Sequence, residues 1–153
     1  MKLSRHSEYA FRTLIFLALE PDHKFRIEDI AKAHHIPRNH LVKVVAHLVK
    51  KGYVATHRGR YGGVSLGRPA EGVLMGDLIR EMDHLNQNGE GCSECLMRPL
   101  HDCPIVDACQ LSGALEEASQ AFYAVLNRST LAQQIKHSDK LHDMLGIKVT
   151  VEA

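Results

Sequence analysis

Four cysteines (Cys92, Cys95, Cys103 and Cys109) lie within eighteen consecutive residues, and the chain of 153 residues contains no others. Their spacing is C-x2-C-x7-C-x5-C. Thiolates are the ligands that soft metals prefer, among them zinc and the iron of iron–sulfur clusters. A loop that enters a helix can fold three or four thiolates around one centre, so this stretch is the candidate metal site.

The residues alone leave the chemistry of these cysteines open. A C-x2-C pair followed by C-x5-C can hold a tetrahedral zinc ion, and Cys92 with Cys95 can form a metal-free thiol–disulfide couple. Cys92 is an extra thiol, which is either free, a further ligand, or half of that couple. His101 and Asp102 stand beside Cys103 and are either ligands or ordinary exposed loop residues.

Composition points to a cytoplasmic protein that binds a polyanion. No apolar run reaches membrane-spanning length and the N-terminus lacks the features of a signal peptide. In the cytoplasm, clustered cysteines favour metal or redox chemistry over structural disulfides. Residues 1–68 carry thirteen Lys/Arg and five Asp/Glu, a net charge of +8, whereas residues 69–153 carry six and thirteen, a net charge of −7. The basic half is therefore the candidate nucleic-acid-binding module.

Apolar periodicity predicts three helices in the basic half, over residues 4–19, 27–34 and 38–51. In the first, Glu8 and Arg12 are one turn apart and can pair. The second and third, separated by a short break, form a helix-turn-helix. The third has one apolar face and one cationic, hydrogen-bonding face, as a DNA recognition helix requires. Its candidate DNA contacts are Arg38, Asn39, His40 and Lys43.

A basic hairpin is expected directly after these helices. Two short strands, 53–57 and 64–66, flank a glycine-rich tip. Glycine supplies the positive φ angles that tight turns need. Arg58, Arg60 and Tyr61 at this tip have no core to fill and suit phosphate contacts and minor-groove insertion. A helix-turn-helix followed by such a hairpin is a winged helix, and the combination predicts DNA binding.

The acidic half is predicted to be helical. Helices are expected over residues 74–82, from Pro104 to about Asn127, and over 131–135, followed by a loose tail over 136–153 in which residues 147–151 could form a strand. The long helix has a heptad seam and is a candidate dimerisation helix; packing against the first helix of its own chain is the alternative. The seam consists of Leu111, Leu115, Ala118, Phe122 and Val125.

The predicted fold class is mainly α: a winged helix-turn-helix with a small β-hairpin wing and a long C-terminal dimerisation helix. The expected divisions are 1–83 for the DNA-binding domain, 84–109 for the cysteine loop, 110–135 for the dimerisation region and 136–153 for the tail. The chain has no P-loop, no Gly-x-Ser-x-Gly and no dinucleotide-binding glycine motif after a strand. We therefore do not expect an enzyme.

Four stretches resemble one known family: Met1–Arg12, Arg38–Val44, the wing Arg58–Gly63, and Cys103–Cys109. They are similar to the bacterial winged-helix iron–sulfur transcription regulators, and most of all to the nitric-oxide-sensing repressors among them. The resemblance covers roughly residues 1–135.

The resemblance implies a homodimer with one iron–sulfur cluster per subunit, of the [2Fe-2S] or the [4Fe-4S] type. Cys95, Cys103 and Cys109 match the three cysteine ligands of the family. The fourth ligand would be Glu8 from the partner chain, at a position where the family typically has aspartate. The implied function is a repressor that releases double-stranded DNA when nitric oxide modifies the cluster; an iron- or redox-responsive regulator of the same family is the alternative, as is a zinc or thiol-switch DNA-binding protein.

Overall fold

The computed structural model describes residues 3–84, 104–105 and 108–147. The elements of these residues are, in chain order, α1 (Arg5–Leu19), α2 (Ile27–Ala33), α3 (Arg38–Lys50), β1 (Val54–His57), β2 (Gly63–Leu66), a 3-10 turn (Ala70–Gly72), α4 (Met75–His84), α5 (Gln110–Leu126), α6 (Leu131–Gln134) and α7 (Ser138–Leu145).

Helix α1 lies at the centre of the core. It begins where the Ser4 side chain accepts a hydrogen bond from the backbone N–H of Ser7, the usual role of serine before a helix. Its apolar residues occupy more than one face, and Leu14 and Leu17 are completely buried. The helix consequently contacts α3, α4, α6, α7 and β2.

Helices α2 and α3 form the predicted helix-turn-helix. The turn between them places His35 at a φ of +53°, and the next backbone N–H, from Ile36, returns to the carbonyl of Ala31 at 2.9 Å. Helix α3 buries its apolar face, with Leu41 and Leu48 at 0% exposure, so its polar face is left outside. The predicted Glu8–Arg12 pair on α1 is also present, at 2.6 Å.

The wing is an antiparallel hairpin in which Val54 faces Leu66 and His57 faces Gly63. The backbone of Phe25 pairs with Val64 of β2 in an isolated antiparallel bridge. This bridge joins the hairpin to the segment before α2. This close approach explains Gly63, because a Cβ at that position would lie 2.5 Å from the carbonyl oxygen of Phe25.

The acidic half packs onto the winged helix through α4. Helix α5 crosses α4 closely, since a Cβ at Gly76 would lie 2.2 Å from the carbonyl oxygen of Tyr123. Asn127 reinforces the crossing by accepting from the backbone N–H of Asp77 and donating to its carboxylate, at 2.9 and 2.8 Å. The guanidinium of Arg80 also lies 4.8 Å from the centre of the Tyr123 ring.

Two features of the acidic half differ from the prediction. The long helix begins at Gln110 rather than Pro104, because Pro104 lies in a turn and Cys109 has an extended backbone that separates the turn from the helix. The expectation of a loose tail is wrong for Ser138–Leu145, which form α7. Leu145 and Ile147 pack against the core, and His142 contacts Glu20 of α1 at 2.8 Å.

Among the described residues, no helix combines the length and the apolar character that crossing a membrane would require.

The α4–α5 crossing predicts the effect of adding one methyl group. Gly76→Ala should lower the free energy of unfolding by about 1–3 kcal/mol, because the new Cβ forces the two backbones apart. Gly113→Ala is the matched control, since a Cβ there meets nothing within 4 Å and alanine favours a helix over glycine by about 1 kcal/mol. Urea unfolding of both variants checks the prediction; equal effects would contradict it.

His34 predicts a loss of stability in acid. Burial lowers the pKa of its side chain to about 4, and the charge of Arg12 lowers it as well. In the unfolded chain this histidine binds a proton near pH 6.5, whereas in the folded chain it does so only near pH 4. The free energy of unfolding therefore declines as pH falls from about 6.5 to about 4.

We expect His34→Gln to lose less stability than the parent between pH 7 and pH 4.5, by about 1–3 kcal/mol. His40→Gln, which replaces an exposed histidine of α3, is the control and should follow the parent. The measurement is the urea-unfolding free energy at both pH values; parallel curves for all three proteins would refute the assignment.

Candidate nucleic-acid interface

The structure brings the predicted recognition residues together on the first two turns of α3. Arg38, Asn39, His40 and Lys43 are all exposed, while the opposite face of the same helix is buried in the core. A helix with this division can lie in a major groove with its N-terminal residues against base edges.

Arg38 already has a partner within the chain. Its Nε donates to Oε1 of Glu28 on α2, and both side chains remain more than half exposed. The hydrogen bond from Arg38 lowers the pKa of Glu28, so the carboxylate is ionised at neutral pH. The contact joins the first turns of the two helices of the helix-turn-helix.

The predicted wing residues lie at the tip of the β1–β2 hairpin. Arg58, Arg60 and Tyr61 are exposed, Tyr61 to 82%. Gly59 has a φ of +104°, and a Cβ at Gly62 would lie 2.3 Å from the carbonyl oxygen of His57. Gly59 is therefore favoured by its backbone angle and Gly62 by the lack of space for a side chain, while the arginines and tyrosine of the tip are exposed where phosphates can reach them.

Arg68 connects the recognition helix to the base of the wing. Its Nε donates to the carbonyl of Gly52 at 3.0 Å and its Nη2 donates to the carbonyl of Lys51, both just past the end of α3. Its guanidinium lies 4.2 Å from the centre of the Tyr53 ring. The side chain satisfies carbonyls at the end of the helix and fixes the strand that follows it.

A polar network links α1, α3 and α4. Nδ1 of His47 on α3 lies 2.8 Å from Nε2 of His6 on α1, and burial together with the neighbouring His47 lowers the pKa of His6. Asp83 near the end of α4 accepts hydrogen bonds from the Ser7 hydroxyl and from the backbone N–H of Ser4. The start of α1 is thus fixed to the recognition helix on one side and to α4 on the other.

The structure describes two of the predicted metal ligands. Glu8 is partly exposed on α1 and paired with Arg12, and with 43% of its side chain accessible a partner chain can reach its carboxylate. Cys109 is half-buried directly before α5; its thiol makes no capping hydrogen bond, and its carbonyl accepts one from Ser112. Cys92, Cys95, Cys103, His101 and Asp102 lie outside the described residues.

Within the described residues, no three metal-ligating side chains lie close together. The donor set nevertheless fits an iron–sulfur cluster. Cys109 offers a free, partly shielded thiol at the end of the stretch that contains the other three cysteines, and thiolates are the usual ligands of such clusters.

Sequence reasoning did not identify Arg68, the His6–His47 pair or Glu28 as contributors to this interface. Their contacts span 17, 41 and 10 residues of the chain. Arg68 offered a usable signal, because it is an arginine two residues past the predicted strand 64–66 and directly before a proline.

Comparison with known proteins agrees with this geometry. The model of the Rrf2 family, described as an iron-dependent transcriptional regulator, matches residues 3–137. The chain is also 40% identical over 147 residues to the HTH-type transcriptional regulator NsrR of Geobacillus kaustophilus (strain HTA426), which covers 95% of this chain and 97% of that protein.

Two solved structures share the fold. IscR of T. potens superposes with a TM-score of 0.66 at 22% identity, covering 92% of this chain and 90% of that one. CymR (YrzC), the global cysteine regulator of B. subtilis, superposes with a TM-score of 0.65 at 23% identity, covering 90% and 98%. These similarities support the winged-helix architecture described above.

Proposed function

The chain belongs to the Rrf2 family of transcriptional regulators, and from this we propose that it is a repressor that binds DNA as a homodimer and releases it when nitric oxide modifies an iron–sulfur cluster. One observation carries the proposal: the same chain contains an exposed recognition helix, a basic wing and four thiols within eighteen residues. The resemblance of four stretches of the sequence to nitric-oxide-sensing repressors favours nitric oxide over other signals.

The candidate DNA contacts on α3 and those on the wing would have different roles. Arg38, Asn39, His40 and Lys43 would enter the major groove, where arginine and asparagine can form bidentate contacts with guanine and adenine. Arg58, Arg60 and Tyr61 would contact the neighbouring backbone and minor groove, which supplies affinity but little sequence information.

Helix α5 supports the proposed homodimer. Leu111 and Val125 of its apolar seam are 51% and 55% exposed, and only Tyr123 of the whole helix is buried. The helix packs against α4, and part of its apolar surface stays exposed within the described chain. A second copy that covers this surface would make a dimer, and to bind successive major grooves the dimer must hold its two recognition helices about 34–36 Å apart, one turn of DNA.

Cys95, Cys103 and Cys109 would hold the cluster, with Glu8 of the partner chain as the fourth ligand and Cys92 as a further candidate. When bound, the cluster supplies iron that reacts with nitric oxide. A carboxylate holds such iron less firmly than a thiolate does, so Glu8 would be the ligand most easily given up.

The described contacts provide a route from that ligand to the DNA. Glu8 lies two residues from His6, whose ring contacts His47 on α3, and one from Ser7, which is bonded to Asp83 on α4. A change in how α1 is held would therefore alter the position of α3. A coupling of a few kcal/mol is enough to change operator occupancy.

The decisive experiment is anaerobic purification followed by nitric-oxide titration, with the visible spectrum and binding to a promoter duplex recorded together. The proposal requires visible absorption that changes as the duplex is released. Colourless, iron-free protein that binds equally well after Cys95, Cys103 and Cys109 are replaced by serine would overturn it.

Glu8 can be tested apart from its ion pair. We expect Glu8→Ala to change the visible spectrum or to increase the sensitivity to nitric oxide, because one ligand is lost. Arg12→Ala breaks the same ion pair but keeps the carboxylate, so it should match the parent. Spectra and nitric-oxide titrations of the three proteins decide; a parent-like Glu8→Ala would exclude the cross-chain ligand.

The salt dependence of DNA binding tests whether the wing contacts phosphates. Arg58→Ala should weaken binding to every duplex and reduce the slope of log affinity against log salt by about two, because the homodimer loses one phosphate contact in each subunit. Lys140→Ala removes an exposed positive charge from α7 and should leave the slope unchanged.

Asn39→Ala should behave differently from both variants, with relaxed base preference and an unchanged salt slope. Fluorescence anisotropy over a range of salt concentrations measures all three variants. A parent-like slope for Arg58→Ala would remove the wing from the interface.

A further inference from the structure

Glu28 of α2 and Arg38 of α3 form an ion pair on the protein surface. Its Nε–Oε1 distance is 2.5 Å, and the two side chains are 52% and 63% exposed. Ion pairs with this much exposure contribute little to stability. The pair nevertheless sits at the first turn of the recognition helix, on the residue best suited to read a guanine.

The geometry of the pair leaves Arg38 able to bind something else. Glu28 uses the Nε of the guanidinium, and in the described part of the chain neither Nη nitrogen of Arg38 has a hydrogen-bond partner. These two nitrogens form the fork that meets the O6 and N7 atoms of guanine. Glu28 therefore restrains the long side chain without occupying its reading end, which reduces the conformational freedom to be lost on binding.

The charge of Glu28 acts in a second way. It is an exposed, ionised carboxylate beside the surface that would face DNA, and phosphates repel it at every sequence. This repulsion weakens all complexes, while the restraint on Arg38 helps only those in which a guanine meets the fork. The restraint therefore widens the difference in affinity between the preferred and the random duplex, whereas the repulsion lowers both affinities alike.

We propose that Glu28 is a specificity-determining positioning residue that holds Arg38 in a guanine-reading conformation and raises the discrimination of the protein between duplexes. This inference rests on the proposed function, since it requires that α3 reads DNA.

The experiment begins with anaerobically purified full-length protein and a duplex selected by the parent from a randomised 30-base-pair pool. The ratio of its affinity to that of a random duplex is measured at fixed salt for each variant. Glu28→Gln should lower this ratio about five- to tenfold, since a bidentate guanine contact loses its restraint. Repeating the selection with Glu28→Gln should loosen the preference at one base pair of each half-site.

Asp29→Asn is the matched control. Asp29 is the next residue of α2 and an equally exposed carboxylate, while the ion pair of Arg38 in the described chain is with Glu28. Both substitutions remove one negative charge and should strengthen random-duplex binding about twofold, but Asp29→Asn should leave the discrimination ratio unchanged, because it strengthens binding to the selected duplex equally. Glu28→Asp keeps the charge and shortens the reach, so it should lose discrimination without gaining affinity for random DNA.

The outcomes separate the two proposals. Equal ratios for Glu28→Gln and Asp29→Asn would overturn the role of Glu28, as would an unchanged effect of Glu28→Gln in an Arg38→Ala background. If the parent selects no preferred duplex, the proposed function itself fails and the inference fails with it. Thermal unfolding of each variant confirms that folded proteins are compared.

Discussion

The burial of helix α1 is the constraint on which the other described elements depend. Leu14 and Leu17 are fully enclosed, and Phe16 and Leu19 face other directions and are nearly so. A helix that is apolar on several sides must be covered on several sides. The recognition helix, the wing, α4 and the two C-terminal helices supply that cover. Their relative positions are therefore consequences of one shared hydrophobic contact.

Polar contacts at the start of α1 add direction to this packing. Hydrophobic contact alone is non-directional, but a buried hydroxyl must find a partner. Ser7 is 1% exposed and donates to Asp83, whereas buried Thr13 donates to the carbonyl of Tyr9 within its own helix. Only the first of these bonds fixes α1 against another element, and that element, α4, precedes the cysteine stretch in the chain.

The sequence predicts the winged helix well because the signals there are local. The periodicity of α3 and the glycines of the wing act within one or two turns of chain, and the structure confirms both. Helix α7 was missed because its stability depends on tertiary contacts, the core packing of Leu145 and the ion pair of His142 with Glu20. Glu28–Arg38 and the Arg68 contacts could not be read from spacing, since nothing local encodes a hydrogen bond ten or seventeen residues away.

Arg68 makes the end of the recognition helix and the base of the wing one mechanical unit. Two hydrogen bonds and the stacking of Arg68 on a tyrosine ring resist movement of the helix relative to the wing. In the proposed complex with DNA, the helix and the wing would therefore bind as one rigid unit. A lesion or distortion of the duplex under either element would then weaken the DNA contacts of both. The proposed DNA binding should therefore be sensitive to the shape of the site over a longer stretch than the base contacts cover.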